Sequence, residues 1–192
     1  VRPLAALLLL STAGCATSLP DPLAGTFDFG TEVRSATLAH PLALASTAPL
    51  PALGRTVHLA FGPLRTERYD DRVRFFLWVG FTDWAPFTLK RARPPRVRLV
   101  ADGRVLAEPA PLAVGESPPL SRPPYVTTPA AEAEQYYVLE AEDLARLAGR
   151  ETLTVEIGDG PRPWLAFAAP PGATAMLDEF VARRGAERSA AR

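Results

Sequence analysis

From Val73 to Phe81 the chain alternates without a break: Val73, Phe75, Leu77, Val79 and Phe81 fall on one side, Arg74, Phe76, Trp78 and Gly80 on the other. A period of two belongs to a β-strand, and an uninterrupted apolar face of five positions belongs in a core. The opposite face starts with Arg72 and Arg74 and turns aromatic at Phe76 and Trp78. It is therefore solvated at one end and either covered or available for binding at the other. A chain carrying this stretch must build a sheet around it.

The remaining pattern supplies partners for that strand. Val57, Leu59 and Phe61 alternate with Thr56, His58 and Ala60, and Gly62-Pro63 is expected to end the strand. Pro94-Pro95 leads into Val97, Leu99 and Ala101; Asp102-Gly103 is a two-residue hairpin turn, and Arg104 to Glu108 returns. Further strands are expected over Gln135 to Glu140, at Leu153, Val155 and Ile157, and from Pro163 to Ala168. The prolines from Ala107 to Glu134 leave a long loop between them, a length that in a compact domain is either functional or loosely ordered. A short helix near 141–148 places Leu144 and Leu147 on one face, with Gly149 as its stop. A C-terminal helix near 173–184 places Met176, Leu177, Phe180 and Val181 at three- and four-residue spacing, ending at Gly185. The fold class is mainly β: an antiparallel β-sandwich, loosely immunoglobulin-like but without an intersheet cysteine pair, plus those two helices. The alternative is an α+β domain with one sheet covered by the C-terminal helix.

The amino-terminal segment concerns location. Arg2 precedes the apolar run Leu4 to Leu10, and small residues Ser11, Thr12, Ala13 and Gly14 precede Cys15, the sole cysteine. That is the order of a secretory signal. The apolar stretch is too short to span a bilayer comfortably. Leu10-Ser11-Thr12-Ala13-Gly14-Cys15 resembles the lipobox of bacterial lipoproteins. The family prefers leucine three positions before the cysteine, where Thr12 stands here. The resemblance implies cleavage before Cys15, acylation of its thiol and new amino terminus, and a membrane anchor through the attached lipid. Ala16 after the cysteine implies, in a Gram-negative cell, the outer membrane facing the periplasm. Cleavage after Ser18 is the alternative; it would discard Cys15 and release a soluble protein. The expected division is a signal peptide over 1–14, a lipidated cysteine and flexible Pro/Ala-rich tether over 15–54, one β-rich domain over 55–185, and a disordered tail over 186–192. A coil of that tether's length reaches on the order of 35 Å. Phe27 and Phe29 leave open a short edge strand inside it.

The charge is balanced, Lys+Arg 21 against Asp+Glu 21, so no strong field recruits nucleic acid. Lys90 is the only lysine and asparagine is absent, which points to coding bias behind the abundant arginine. With Cys15 acylated, no thiol is left for disulfides or metal ligation. His40 and His58 are the only imidazoles, and no nucleophile elbow, zinc or calcium motif or phosphate-binding glycine loop accompanies them. No cofactor or metal is expected. The constellation left for function is aromatic: Arg72, Arg74, Phe76 and Trp78 on one strand face, with Trp84 and Phe87 in the turn beyond. Exposed, it would seat a partner; otherwise it covers the second side of the sheet. The reading is a non-catalytic, lipid-anchored envelope protein that binds an envelope protein or glycan or assists an assembly. Alternatives are a carrier of a hydrophobic ligand and a glycan hydrolase using carboxylates among Asp70, Asp71 and Asp83. The oligomeric state is left open.

Overall fold

The computed structural model describes residues 21–50, 54–70, 72–81, 94–113, 115–158 and 164–190, the last seven of these by backbone alone. Eleven strands run in chain order: β1 (Leu23–Asp28), β2 (Val33–Leu38), β3 (Leu42–Ser46), β4 (His58–Arg68), β5 (Val73–Phe81), β6 (Arg96–Ala101), β7 (Arg104–Ala107), β8 (Ala110–Pro111), β9 (Ala133–Leu139), β10 (Leu153–Gly158) and β11 (Leu165–Ala168). Helix α1 (Ala141–Leu147) follows β9, and α2 (Ala173–Ala190) closes the described chain.

The mainly antiparallel β architecture with a short and a C-terminal helix is the one read from the pattern. Its strands do not divide into two separate sheets. They form one hydrogen-bonded path, β7-β6-β10-β11-β3-β4-β5-β9-β8, with β2 and then β1 branching from β4. The sheet curls, bringing β8 back beside β6. The branch arises at β4, whose 11 residues pair first with β3 and then with β2. The expected break at Gly62-Pro63 does not occur.

Its survival has a local cause. The β3–β4 ladder stops at Leu42↔Phe61 and the β2–β4 ladder begins at Thr37↔Leu64, so Gly62 and Pro63 face the gap between two neighbours. A strand residue directs its N–H and C=O to the same edge, so the N–H that Pro63 lacks would have pointed into this gap. Tyr125, from the proline-rich segment, fills it: its hydroxyl donates to Pro63 O at 2.5 Å and accepts from Leu38 N–H at 3.2 Å. Gly62 makes room, since a Cβ there would lie 2.4 Å from Tyr125 Cζ.

Residues 23–46, expected as tether, are instead three strands of the sheet. Pro22 and Pro41 immediately precede β1 and β3, where a missing N–H costs no ladder bond, and Pro49 lies in the connection after β3. Phe27 does lie on an edge strand, for among the described residues β1 pairs only with β2. The helix expected to stop at Gly185 continues to Ala190, so the expected tail is partly helical; one glycine costs a helix only about 1 kcal/mol relative to alanine. The Asp102-Gly103 turn forms as expected, with φ of 50° and 74°.

One core joins the sheet to both helices. Trp78, Tyr137, Phe61, Phe81, Phe167 and Phe180 are its largest fully buried side chains. Leu144 and Leu147 of α1 and Leu177 and Phe180 of α2 enter it on the spacing the sequence shows. Each such side chain contributes roughly 1.5–3 kcal/mol. Tyr137 crosses the interior to donate to Pro95 O at 3.0 Å, and burial pushes its phenol far above the ordinary value, so it stays a donor.

Candidate functional site

The aromatic constellation singled out on β5 does not form one surface. Phe76 is 3 % exposed and Trp78 0 %, and Tyr125 of the proline-rich segment packs on Trp78. The Trp78 indole stacks on Tyr125 at 5.1 Å, tilted 41°, and its N–H donates to Glu134 Oε2 at 3.0 Å. Gly80 hollows the same face, where a Cβ would stand 2.4 Å from the indole. Arg72 and Arg74 are exposed at the other end of the strand, Arg72 beside Asp70 at 3.2 Å. The covered alternative thus holds for these two rings. Cys15, Asp71, Asp83, Trp84 and Phe87 lie outside the described residues.

The two histidines border one shallow groove of about 530 Å³, between β3–β4 and the Val126–Pro129 segment. His58 opposes Ala45 in the ladder, five residues on from His40, so the two backbones stand on the order of 15 Å apart. Among the described residues no three His, Cys, Asp or Glu side chains converge as metal ligands.

A different aromatic group is exposed. Asp28↔Val33 closes the β1–β2 hairpin, Glu67↔Val73 the β4–β5 hairpin, and Val33↔Arg68 sets the two turns side by side. Phe29 stands in the first turn, 86 % exposed, and Tyr69 in the second, 95 % exposed. Phe27 meets Phe29 edge-to-face at 4.9 Å. With Glu32, Arg34 and Arg68 these rings line a groove of about 650 Å³ that carries both signs of charge. A second groove, about 560 Å³, runs over the other face of β1–β2, walled by Leu120–Pro124. There Thr26 and Ser35 share a hydroxyl–hydroxyl bond of 2.7 Å.

Asp28 holds this end in shape. Its Oδ1 accepts from Gly30 N–H (2.9 Å) and Thr31 N–H (3.2 Å), and its Oδ2 from the Ser121 hydroxyl and N–H, both 2.6 Å. The Ser121 hydroxyl bond, then its N–H, hold the carboxyl at about 2, below the usual 3.8. Those bonds also fasten a turn in which Glu32 takes a left-handed φ of 54°, costly for a residue with a side chain.

Sequence reasoning passed over this cluster because Tyr69 sits in a polar turn 40 residues from Phe29 and only the β2–β4 register joins them. The available signal was Phe27 and Phe29 themselves, two rings between Gly25 and Gly30 with no apolar periodicity to bury them. Comparison with protein-family models, curated proteins and solved structures finds no match to this chain.

Proposed function

We propose that the chain is a lipid-anchored protein of the cell envelope whose β-rich domain is a non-catalytic binding module, with the hairpin end bearing Phe27, Phe29 and Tyr69 as its contact surface. The observation that carries this reading is the convergence of exposed rings from two turns remote in sequence. Rings left in water beside arginine are the composition of binding hot spots. The alternative of a hydrophobic carrier is less well supported, because the protein's own rings fill the interior where cargo would lie.

The anchor is read from the lipobox-like segment ending in Cys15. From Cys15 to Leu23 is eight residues, a leash of at most about 28 Å, so the domain would be held at the membrane surface instead of standing off on a long tether. Phe29 follows six residues after Leu23, roughly 20 Å further along β1. The rings then lie roughly 20 Å from the point where the leash joins the sheet, within reach of another envelope component.

A photoreactive phenylalanine analogue at position 69, irradiated in intact cells, is expected to give a discrete adduct, while the same probe at position 104 on the distant β7 edge gives none. No adduct at 69, or equal labelling at both positions, overturns the contact surface. Metabolic labelling with a fatty acid is expected to mark the wild type and not Cys15→Ser; equal labelling removes the anchor.

A further inference from the structure

The chemistry beside the exposed rings narrows the class of partner. Ala39 N–H donates to Pro22 O at 2.7 Å, making Pro22–Ala39 a hydrogen-bonded pair. The register then assigns Ala24, Thr26 and Asp28 to the ladder with β2. Leu23, Gly25 and Phe27 consequently turn their N–H and C=O groups away from β2. Asp21 Oδ1 takes the Leu23 N–H at 2.9 Å. Gly25 and Phe27 present theirs on an exposed edge, two residues and roughly 6.8 Å apart, with no strand beside them among the described residues.

Among the described residues, the two edges at the ends of the strand path are blunted in the ways that prevent edge-to-edge pairing. Strand β7 has four residues, begins at Arg104, and pairs with β6 across a register shift at Leu99/Val100. Strand β8 has two residues, one of them Pro111. Strand β1 has six residues, and from Leu23 to Phe27 it carries neither a charge nor a proline.

The unguarded edge also lies between two grooves. Tyr69 and the Phe27 and Phe29 rings border the groove on one sheet face; on the other face the hydroxyls of Thr26, Ser35 and Ser121 join the edges of the same two phenylalanines and Leu120. A strand laid against β1 would send alternate side chains into each, which is how strand-adding recognition combines main-chain affinity with side-chain selection. Resting on the reading of this end as a contact surface, we propose that β1 is the docking edge for an extended polypeptide segment of another protein, which joins the sheet as a strand through the backbone of Gly25 and Phe27. The segment places an apolar side chain among the rings and a small or polar one among the hydroxyls. The ring-side groove holds Glu32 and Glu67 against Arg34 and Arg68, so the segment carries no strong net charge. A second copy fits less well, since a six-residue edge supplies a small part of the roughly 800 Å² per partner that a stable dimer buries.

The test uses the full-length protein in detergent and, as probe, an end-blocked eight-residue peptide of alternating valine and threonine at millimolar concentration. Amide hydrogen exchange at Gly25 and Phe27 is expected to slow at least tenfold, with β7 amides unchanged. Gly25→Pro removes one outward N–H without touching the β2 ladder, and the nearest atom to a Cβ there is Ser35 O at 3.9 Å; circular dichroism checks that the variant is folded. This variant is expected to lose peptide binding and the position-69 adduct. Unchanged exchange at Gly25 and Phe27 in the wild type overturns the proposal whether or not the variant folds. Concentration-dependent protection without peptide also overturns it, in favour of a second copy. A position-69 adduct that persists in a folded Gly25→Pro protein refutes strand addition alone; loss of that adduct from the wild type refutes the contact surface itself.

Discussion

Replacing Tyr125 by phenylalanine removes one oxygen and should destabilise the domain well beyond an ordinary lost hydrogen bond. The hydroxyl serves two backbone groups, Leu38 N–H and Pro63 C=O, at the place where β4 has no continuous neighbour. Leu38, Pro63 and Tyr125 are all buried, so water cannot readily replace it. A buried backbone group left unpaired costs about 1–3 kcal/mol, and two of them amount to about 2–4 kcal/mol after partial relaxation. For a domain of this size that corresponds to a fall in Tm of roughly 5–15 °C. Burial pushes the Tyr125 phenol far above its ordinary value, so the effect should not depend on pH in the neutral range. Urea unfolding followed by circular dichroism measures it, with an unchanged m-value showing that the native state is still compact. Tyr137→Phe is the internal comparison: it strands only Pro95 O and should cost about 1–2 kcal/mol. A Tyr125→Phe protein within about 0.5 kcal/mol of wild type, or no more affected than Tyr137→Phe, would refute the argument that this hydroxyl bridges the gap in the ladder.

Three further outcomes are expected. Asp28→Asn should free the Ser121 segment from the β1–β2 turn, raising hydrogen exchange at Gly30, Thr31 and Ser121. Because Asp28 is held at about 2 when folded against 3.8 otherwise, its contribution is complete above about pH 4 and lost as pH falls through 2; thermal melts at pH 5 and pH 2.5 should show a smaller acid-induced drop in the variant. Gly80→Ala sets a methyl 2.4 Å from the Trp78 ring and should cost about 1–3 kcal/mol, with a shift in tryptophan emission; wild-type emission and stability would contradict the packing. Phe180→Ala should cost about 3–5 kcal/mol by denaturant titration, since this ring fastens α2 to the sheet, and a change under 1 kcal/mol would place the helix outside the core.

Periodicity alone carried the class of fold, the Asp102-Gly103 hairpin and the inward faces of both helices. Leu77, Val79 and Phe81 of β5, Leu144 and Leu147 of α1, and Leu177 and Phe180 of α2 are buried as their spacing requires. Apolar side chains at period 2 or 3.6 specify a buried face whatever lies opposite. Proline was the misleading residue. Pro22 and Pro41 mark strand starts, not a tether, and Pro63 sits inside β4, the longest described strand. A proline's effect depends on whether its missing N–H faces a partner, and local sequence does not contain that information.

The chain's pattern therefore determined that a sheet would form and which residues would be drawn inside it, because burial depends on the spacing of apolar groups along a regular backbone. Tertiary structure decided which rings stayed in water. Trp78 and Phe29 are equally apolar on paper, yet Tyr125 returns from 47 residues away to cover the first, and nothing among the described residues closes over the second. The edge of β1 is likewise a property of strand order: its open backbone groups exist because β2 occupies only one side, and strand order is set by long-range pairing that no local stretch encodes.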